Sequence, residues 1–148
     1  MVDKISIKVS IEAIRERSFS LISDELMPEG DFGSEIKVNH RLVTEIDQSN
    51  QLISVESGVQ YSVADSVLCE LILVTDFRIE PYRDVVEVDE QSRTITFSAE
   101  FVPTLLDIAY GCLRGVLYEK TKDSPISKYP LQIAPNEELA QLNRYMIK

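Results

Sequence analysis

From Ile5 the chain alternates strictly, with Ile5, Ile7, Val9, Ile11 and Ala13 on one side and Ser6, Lys8, Ser10 and Glu12 on the other. A period of two is what a strand half buried against a core requires. The phase slips at Ala13/Ile14, after which Ile14, Phe19 and Leu21 continue among charges, so a bulge or an exit from the sheet is expected there. Ile36, Val38, Leu42 and Ile46 form a second alternating run, closed by Gln48-Ser49-Asn50. Ile53, Val55, Val59, Tyr61 and Val63 form a third, closed by Ala64-Asp65-Ser66. The fourth run, Val67 to Ile79, is apolar on both sides, Cys69, Leu71, Leu73 and Phe77 against Leu68, Ile72 and Val74, which predicts a strand covered on both faces.

Between the first two strands, Ser23 to Ser34 is a loop that holds turn formers together with Leu26, Met27 and Phe32. These three either pack under another element or serve as a contact surface. Pro81 to Phe97 reads as irregular chain with a small hairpin, Val85 to Val88 against Arg93 to Phe97. The period then changes. Val102, Leu105, Leu106, Ala109, Cys112, Leu113, Val116 and Leu117 recur at three and four, with Pro103 suited to a first turn and Lys120 and Lys122 near the negative end of the dipole. This amphipathic helix should end before Pro125. Asn136 can cap a last short helix, with Glu137 and Glu138 in its first turn and Leu139, Leu142 and Met146 as its stripe. Four strands followed by two helices give the α+β pattern of one domain over residues 1–148, in which strands joined by short turns can pair as antiparallel hairpins while the first two, joined by a longer loop, need not be adjacent.

Composition narrows the function classes. The chain has 148 residues, 44% of them apolar and 27% charged, and 15 basic against 25 acidic residues leave a net charge of -10. That charge repels phosphate backbones and anionic lipid heads, so neither nucleic acid nor a membrane is an expected partner. No apolar run approaches the roughly 18 residues of a spanning helix, and the start lacks the apolar core of a signal peptide, so the cytoplasm is the expected compartment. The single histidine, His40, lies on the mainly apolar side of the second strand and is read as an interior or interface residue. Cys69 and Cys112 belong to no Cys-x-x-Cys or Cys/His cluster and sit on apolar faces, where they are small core residues rather than nucleophiles or metal ligands. None of the five glycines forms a nucleotide-binding loop. Gly111 and Gly115, four apart, weaken the long helix by about 1 kcal/mol each relative to alanine. No catalytic residue, metal or cofactor is expected.

Several motifs then point the same way. Pro103-Thr104-Leu105-Leu106, Ile108-Ala109-Tyr110, Arg114-Gly115-Val116-Leu117 with Lys120-Thr121, and Tyr129-Pro130-Leu131-Gln132-Ile133-Ala134-Pro135-Asn136 follow one another in that order, and Leu68-Cys69-Glu70 stands in the fourth strand. In these residues and their order the chain resembles the SecB export-chaperone family, including its divergent SecB-like members. The resemblance implies a four-stranded antiparallel sheet with a long and a short helix packed on it, and a homo-oligomer, a dimer or tetramer, that holds unfolded polypeptides in hydrophobic grooves without ATP and delivers secretory precursors to the SecA motor. By position the groove would involve Leu26, Met27 and Phe32 with Leu139, Leu142 and Met146. The partner contact on the exposed sheet face would involve Leu68 and Glu70, with Glu16 as a further acid. Export members continue into a tail that grips the motor's zinc domain, whereas this sequence ends at Lys148. Other SecB-like relatives protect antitoxins. A different class of function, an acidic oligomeric adaptor that binds one folded partner through its sheet face, fits the same composition.

Overall fold

The computed structural model describes residues 7–28, 35–97, 101–132 and 136–148. The first strand, β1 (Lys8–Leu21), is the long alternating run; it bulges between Ile11 and Ala13, just before the slip expected at Ala13/Ile14, and again between Glu16 and Ser18, where none was expected. β2 (Lys37–Asp47), β3 (Leu52–Val63) and β4 (Ser66–Glu80) follow. The β3–β4 hairpin turns on two residues, Ala64 and Asp65, with φ of 47° and 67°. Positive φ at both positions matches the twist of the flanking strands, and Asp tolerates that region better than Ala does. After a single helical turn, α1 (Tyr82–Val85), a separate ribbon pairs β5 (Val86–Asp89) with β6 (Thr94–Phe97). The long helix is α2 (Phe101–Thr121); α3 (Asn136–Leu142) leads directly into β7 (Asn143–Ile147).

The main sheet runs β1-β4-β3-β2-β7. Its first three pairings are antiparallel, and β7 lies parallel to β2. The expected four-stranded, all-antiparallel sheet with two helices is therefore corrected: the architecture is α+β, with a five-stranded mixed sheet, a second two-stranded sheet and three helices, one of them long. The difference arises at the end of the chain. Leu139, Leu142 and Met146 satisfy a helical stripe, but Asn143, Tyr145 and Ile147 also alternate with Arg144 and Met146. Beside an open β2 edge the second pattern prevails, because the edge supplies the backbone partners that five extended residues need. Met146 is thus a strand residue, not part of the short helix.

One side of the sheet carries the core. Ile53, Val55, Val59 and Tyr61 of β3 and Cys69, Leu71, Leu73 and Phe77 of β4 are buried under Leu105, Leu106, Ala109, Leu113 and Leu117 of α2. The expected helix stripe holds at these positions, and α3 adds Leu139. The other side has no helix among the described residues. β4 is apolar on that side too, at Ile72 and Val74, yet Val74 is buried: in register it stands between Arg15 and Glu56, whose ion pairs close over it. Two-sided cover of β4 is thus made by a helix on one face and by neighbouring charged side chains on the other.

Candidate functional site

An open recess of about 560 Å³ lies between the ribbon and the β7 edge of the main sheet. Arg93, Ile95 and Phe97 line it from the ribbon, and Tyr145, Met146 and Ile147 line it from β7. Phe97 anchors the wall: its ring meets Phe101 edge-on at 5.6 Å and Tyr145 at 5.5 Å. Such aromatic pairs contribute about 0.5–1.5 kcal/mol beyond the area they bury, so the ribbon has a defined seat against α2 and β7. Arg93 holds a positive φ of 54° at the turn into β6. The recess therefore joins a mixed wall, Arg93 beside Ile95 and Phe97, to the outer edge of the strand at one end of the sheet.

A second recess, about 340 Å³, is formed where the segment after α2 crosses the start of β2 and β3. Tyr61 donates its hydroxyl to the Tyr129 carbonyl at 2.8 Å, and Tyr110 donates to the Gln132 carbonyl at 3.0 Å while lying 3.3 Å from His40 Nε2. Burial pushes the Tyr61 hydroxyl up to about 12 and moves His40 below its ordinary value, the Glu138 charge opposing the latter. His40 was expected to be an interior or interface residue; it is exposed on β2, with its ring against that of Tyr110. A third recess, about 380 Å³, lies over Gly111 and Gly115, where an added Cβ would meet nothing within 4 Å.

The six residues proposed for a peptide groove do not come together. Leu26 is 71% exposed after a 3₁₀ turn (Asp24–Leu26), whereas its neighbour Met27 is buried in the core. Phe32 lies outside the described residues. Leu139 is a core residue; Leu142 is exposed at the end of α3; Met146, 52% exposed, is the one that lines the recess at β7. The remaining lining, Arg93, Ile95, Phe97, Tyr145 and Ile147, was not among the site residues expected from sequence. The alternation of Asn143, Tyr145 and Ile147 was the available signal, masked by the helical spacing of the same stretch.

The proposed partner residues are also separated. Leu68 is the extra residue of a bulge between the pairs Tyr61–Cys69 and Ser62–Val67, and its side chain is in the core rather than on the exposed face. Glu70 does face outward, half buried, accepting from Gln60 Nε2 at 2.8 Å. Glu16 sits on the helix side and meets Lys120 at 2.7 Å; that ammonium also stands 4.6 Å above the Phe19 ring. The bulges of β1 explain this placement, since each extra residue reverses which side the following residue faces.

Around Glu70 the uncovered sheet face is a layer of satisfied charges. Asp76 accepts two bonds from Arg15 at 2.9 Å and one from the Ser54 hydroxyl at 2.5 Å. Glu56 accepts from Arg41 at 2.6 Å and from Arg17. Burial by itself would raise both carboxyls, but these donors outweigh it and hold each below its ordinary value. The thiols move the other way: burial pushes Cys69 up to about 11, with Glu70 adding to it, and raises Cys112. Both are protonated near neutral pH, the state that a nucleophilic cysteine avoids. Among the described residues no group of three or more His, Cys, Asp or Glu side chains is placed to hold a metal ion. No helix among them is long and apolar enough to cross a membrane.

No protein-family model matches the chain, and no curated protein matches it. Among solved structures, a protein of unknown function from Streptococcus agalactiae aligns with a TM-score of 0.39 and 14% identity, covering 88% of this chain and 99% of that one. A likeness at that level assigns neither fold nor activity.

Proposed function

We propose that this protein is a nucleotide-independent holdase that binds unfolded or partly folded polypeptide in extended form. The observation that carries the reading is the recess at β7, in which Ile95, Phe97, Tyr145 and Met146 stand with Arg93 in a mixed wall beside a strand edge. An extended segment gains main-chain hydrogen bonds from such an edge whatever its sequence, while the wall takes up its apolar side chains. Methionine and aromatic rings adapt to many shapes, which suits a site with many clients. The sequence motifs resembling the SecB family support the same reading, and hand-over of clients to a motor such as SecA is its finer form.

The competing reading, an acidic adaptor for one folded partner, needs charges on the sheet face that are available to that partner. Asp76 and Glu56, the most central acids there, are each held by this chain's own arginines. A homo-oligomer remains part of the proposal. β1 is an edge strand of 14 residues, and Ile11 and Ile14, 46% and 48% exposed, lie on the same side of it. Light scattering across micromolar concentrations tests this, and a strict monomer would remove it.

The experiment for the function is aggregation of an unrelated, chemically unfolded protein on dilution into buffer, with and without this chain and without nucleotide. The holdase reading expects suppression near stoichiometric ratios. No suppression at a severalfold molar excess would end it.

A further inference from the structure

The sheet already holds one extended segment of low intrinsic commitment, and it is this chain's own. β7 is five residues long, runs parallel to β2, and among the described strands is hydrogen-bonded to β2 alone. Its other attachments are few. The Thr44 hydroxyl donates to Asn143 Oδ1 at 2.7 Å, the Lys148 amide donates to the Ile46 carbonyl at 3.0 Å, and Tyr145 meets Phe97. Arg144, Tyr145 and Met146 are all exposed. Asn143 Nδ2 is buried with no hydrogen-bond partner among the described residues, a defect in the seat of the strand. Ordering five residues costs about 1–2 kcal/mol each in backbone entropy, and a parallel ladder returns slightly less per residue than an antiparallel one.

What lies beneath β7 is by contrast firmly built. Leu42, Thr44 and Ile46 of β2 are buried, and β2 is paired along its whole length to β3. Loss of β7 would leave that strand in place and uncover the edge from Leu42 to Ile46. Recognition there is by main chain, with Asn143, Tyr145 and Ile147 as the residues turned toward the helix side. A segment with a polar, an aromatic and an aliphatic residue at alternate positions would fit as well as the present one.

We propose that the β2 edge from Leu42 to Ile46 is an acceptor for an extended polypeptide segment, and that residues 143–147 are a self-strand that fills it until such a segment displaces them. The identity of the incoming strand as an unfolded client rests on the holdase reading above; the exchange itself does not. A self-strand of this kind shields the edge from non-selective pairing and sets the affinity of the site through the fraction of molecules in which the edge is open.

The test is made on the full chain. Glu45 and Met146 are partners in the parallel register, so Glu45→Cys with Met146→Cys supplies a reversible lock between β2 and β7. The probe is the fluorescein-labelled hexapeptide Asn-Arg-Tyr-Met-Ile-Lys, whose binding is followed by anisotropy. Binding should be lost in the oxidised protein and return on reduction. Met146→Pro, which disrupts β7 without a cross-link, should bind the peptide roughly tenfold more tightly than the unaltered chain, as expected when a closed fraction near nine-tenths is opened. Equal peptide affinity in the oxidised, reduced and proline forms would overturn the proposal. The two readings fail separately when a denatured, cysteine-free client is added to the same samples. Client held equally by locked and unlocked protein removes the exchange and leaves the holdase. Lock-dependent peptide binding with no client held removes the holdase and leaves the acceptor edge.

Discussion

On the helix side of β4, Leu71, Leu73 and Phe77 are buried under α2; one residue along, Ile72, Val74 and Asp76 point to a face that no helix covers among the described residues. The two faces share the same strands and the same backbone bonds but are closed by different physics. The covered face excludes water with apolar volume, a non-directional gain that grows with area. The open face excludes it locally by laying arginine stems and buried carboxylates over Val74, an arrangement that is directional and depends on protonation. Tolerance to substitution, salt and pH should therefore differ sharply between faces that are one side chain apart.

The largest effect is expected on the covered face. Leu113→Ala removes a fully buried α2 side chain and should cost about 2–5 kcal/mol in urea unfolding, with no dependence on salt. A cost under about 1 kcal/mol would mean that α2 is not the lid of that face. The loop after β1 offers a matched contrast, since Met27→Ser should destabilise by about 2 kcal/mol or more while Leu26→Ser stays within about 0.5 kcal/mol. If instead both variants kept full stability and weakened client holding, the groove would have to be moved back to this loop.

On the open face, Glu56→Gln leaves Arg17 and Arg41 without their shared carboxylate and should cost about 1–3 kcal/mol, less at high salt. The pH dependence has a definite sign. Asp76 and Glu56 sit below their ordinary values of 3.8 and 4.5 when folded, so the unfolded chain takes up protons first as pH falls. Their contribution is complete above about pH 5, declines as pH drops through the unfolded values, and is gone below the folded ones. Unfolding followed from pH 6 to 3 should show a shallower loss for the Asp76→Asn, Glu56→Gln double variant than for the unaltered chain; parallel curves would detach these carboxylates from stability.

At the recess, Phe97→Ser with Tyr145→Ser should weaken client binding by roughly tenfold, since aromatic anchors carry most of the energy of such sites. Unchanged binding in a folded variant would place the client elsewhere. The smallest effect belongs to Glu70→Lys, where a half-buried acid gives up one bond to Gln60. It should alter stability by no more than about 0.5 kcal/mol and leave client holding intact, while reducing any contact with a partner on this face.

Much of the fold follows from periodicity. The four long strands, an irregularity in β1, a turn around Ala64-Asp65, the ribbon and most of the α2 stripe are local patterns, and local patterns survive into the structure because each face of a strand or helix must meet one environment. Cys69 was legible as a buried thiol for the same reason, whereas His40, expected inside, is exposed and Cys112, expected in the core, is only half buried. Of the candidate site, Met146 alone was named from sequence, and in the wrong element.

What tertiary structure decided is which of two admissible patterns is used, and which residues from distant segments meet. Asn143 to Ile147 carries both a helical and an alternating spacing, and the open β2 edge selects the second. Leu26 and Met27 are equally apolar neighbours, and only the packing at the end of β1 turns one inward. Arg15 with Asp76 and Arg17 with Glu56 are separated by 61 and 39 residues, so no spacing announces them. Sequence determines the free energy of a side chain against water or apolar surroundings; the backbone route through space determines which neighbour it finds there, and a recess built from β6 and β7 exists only once both strands have found their places.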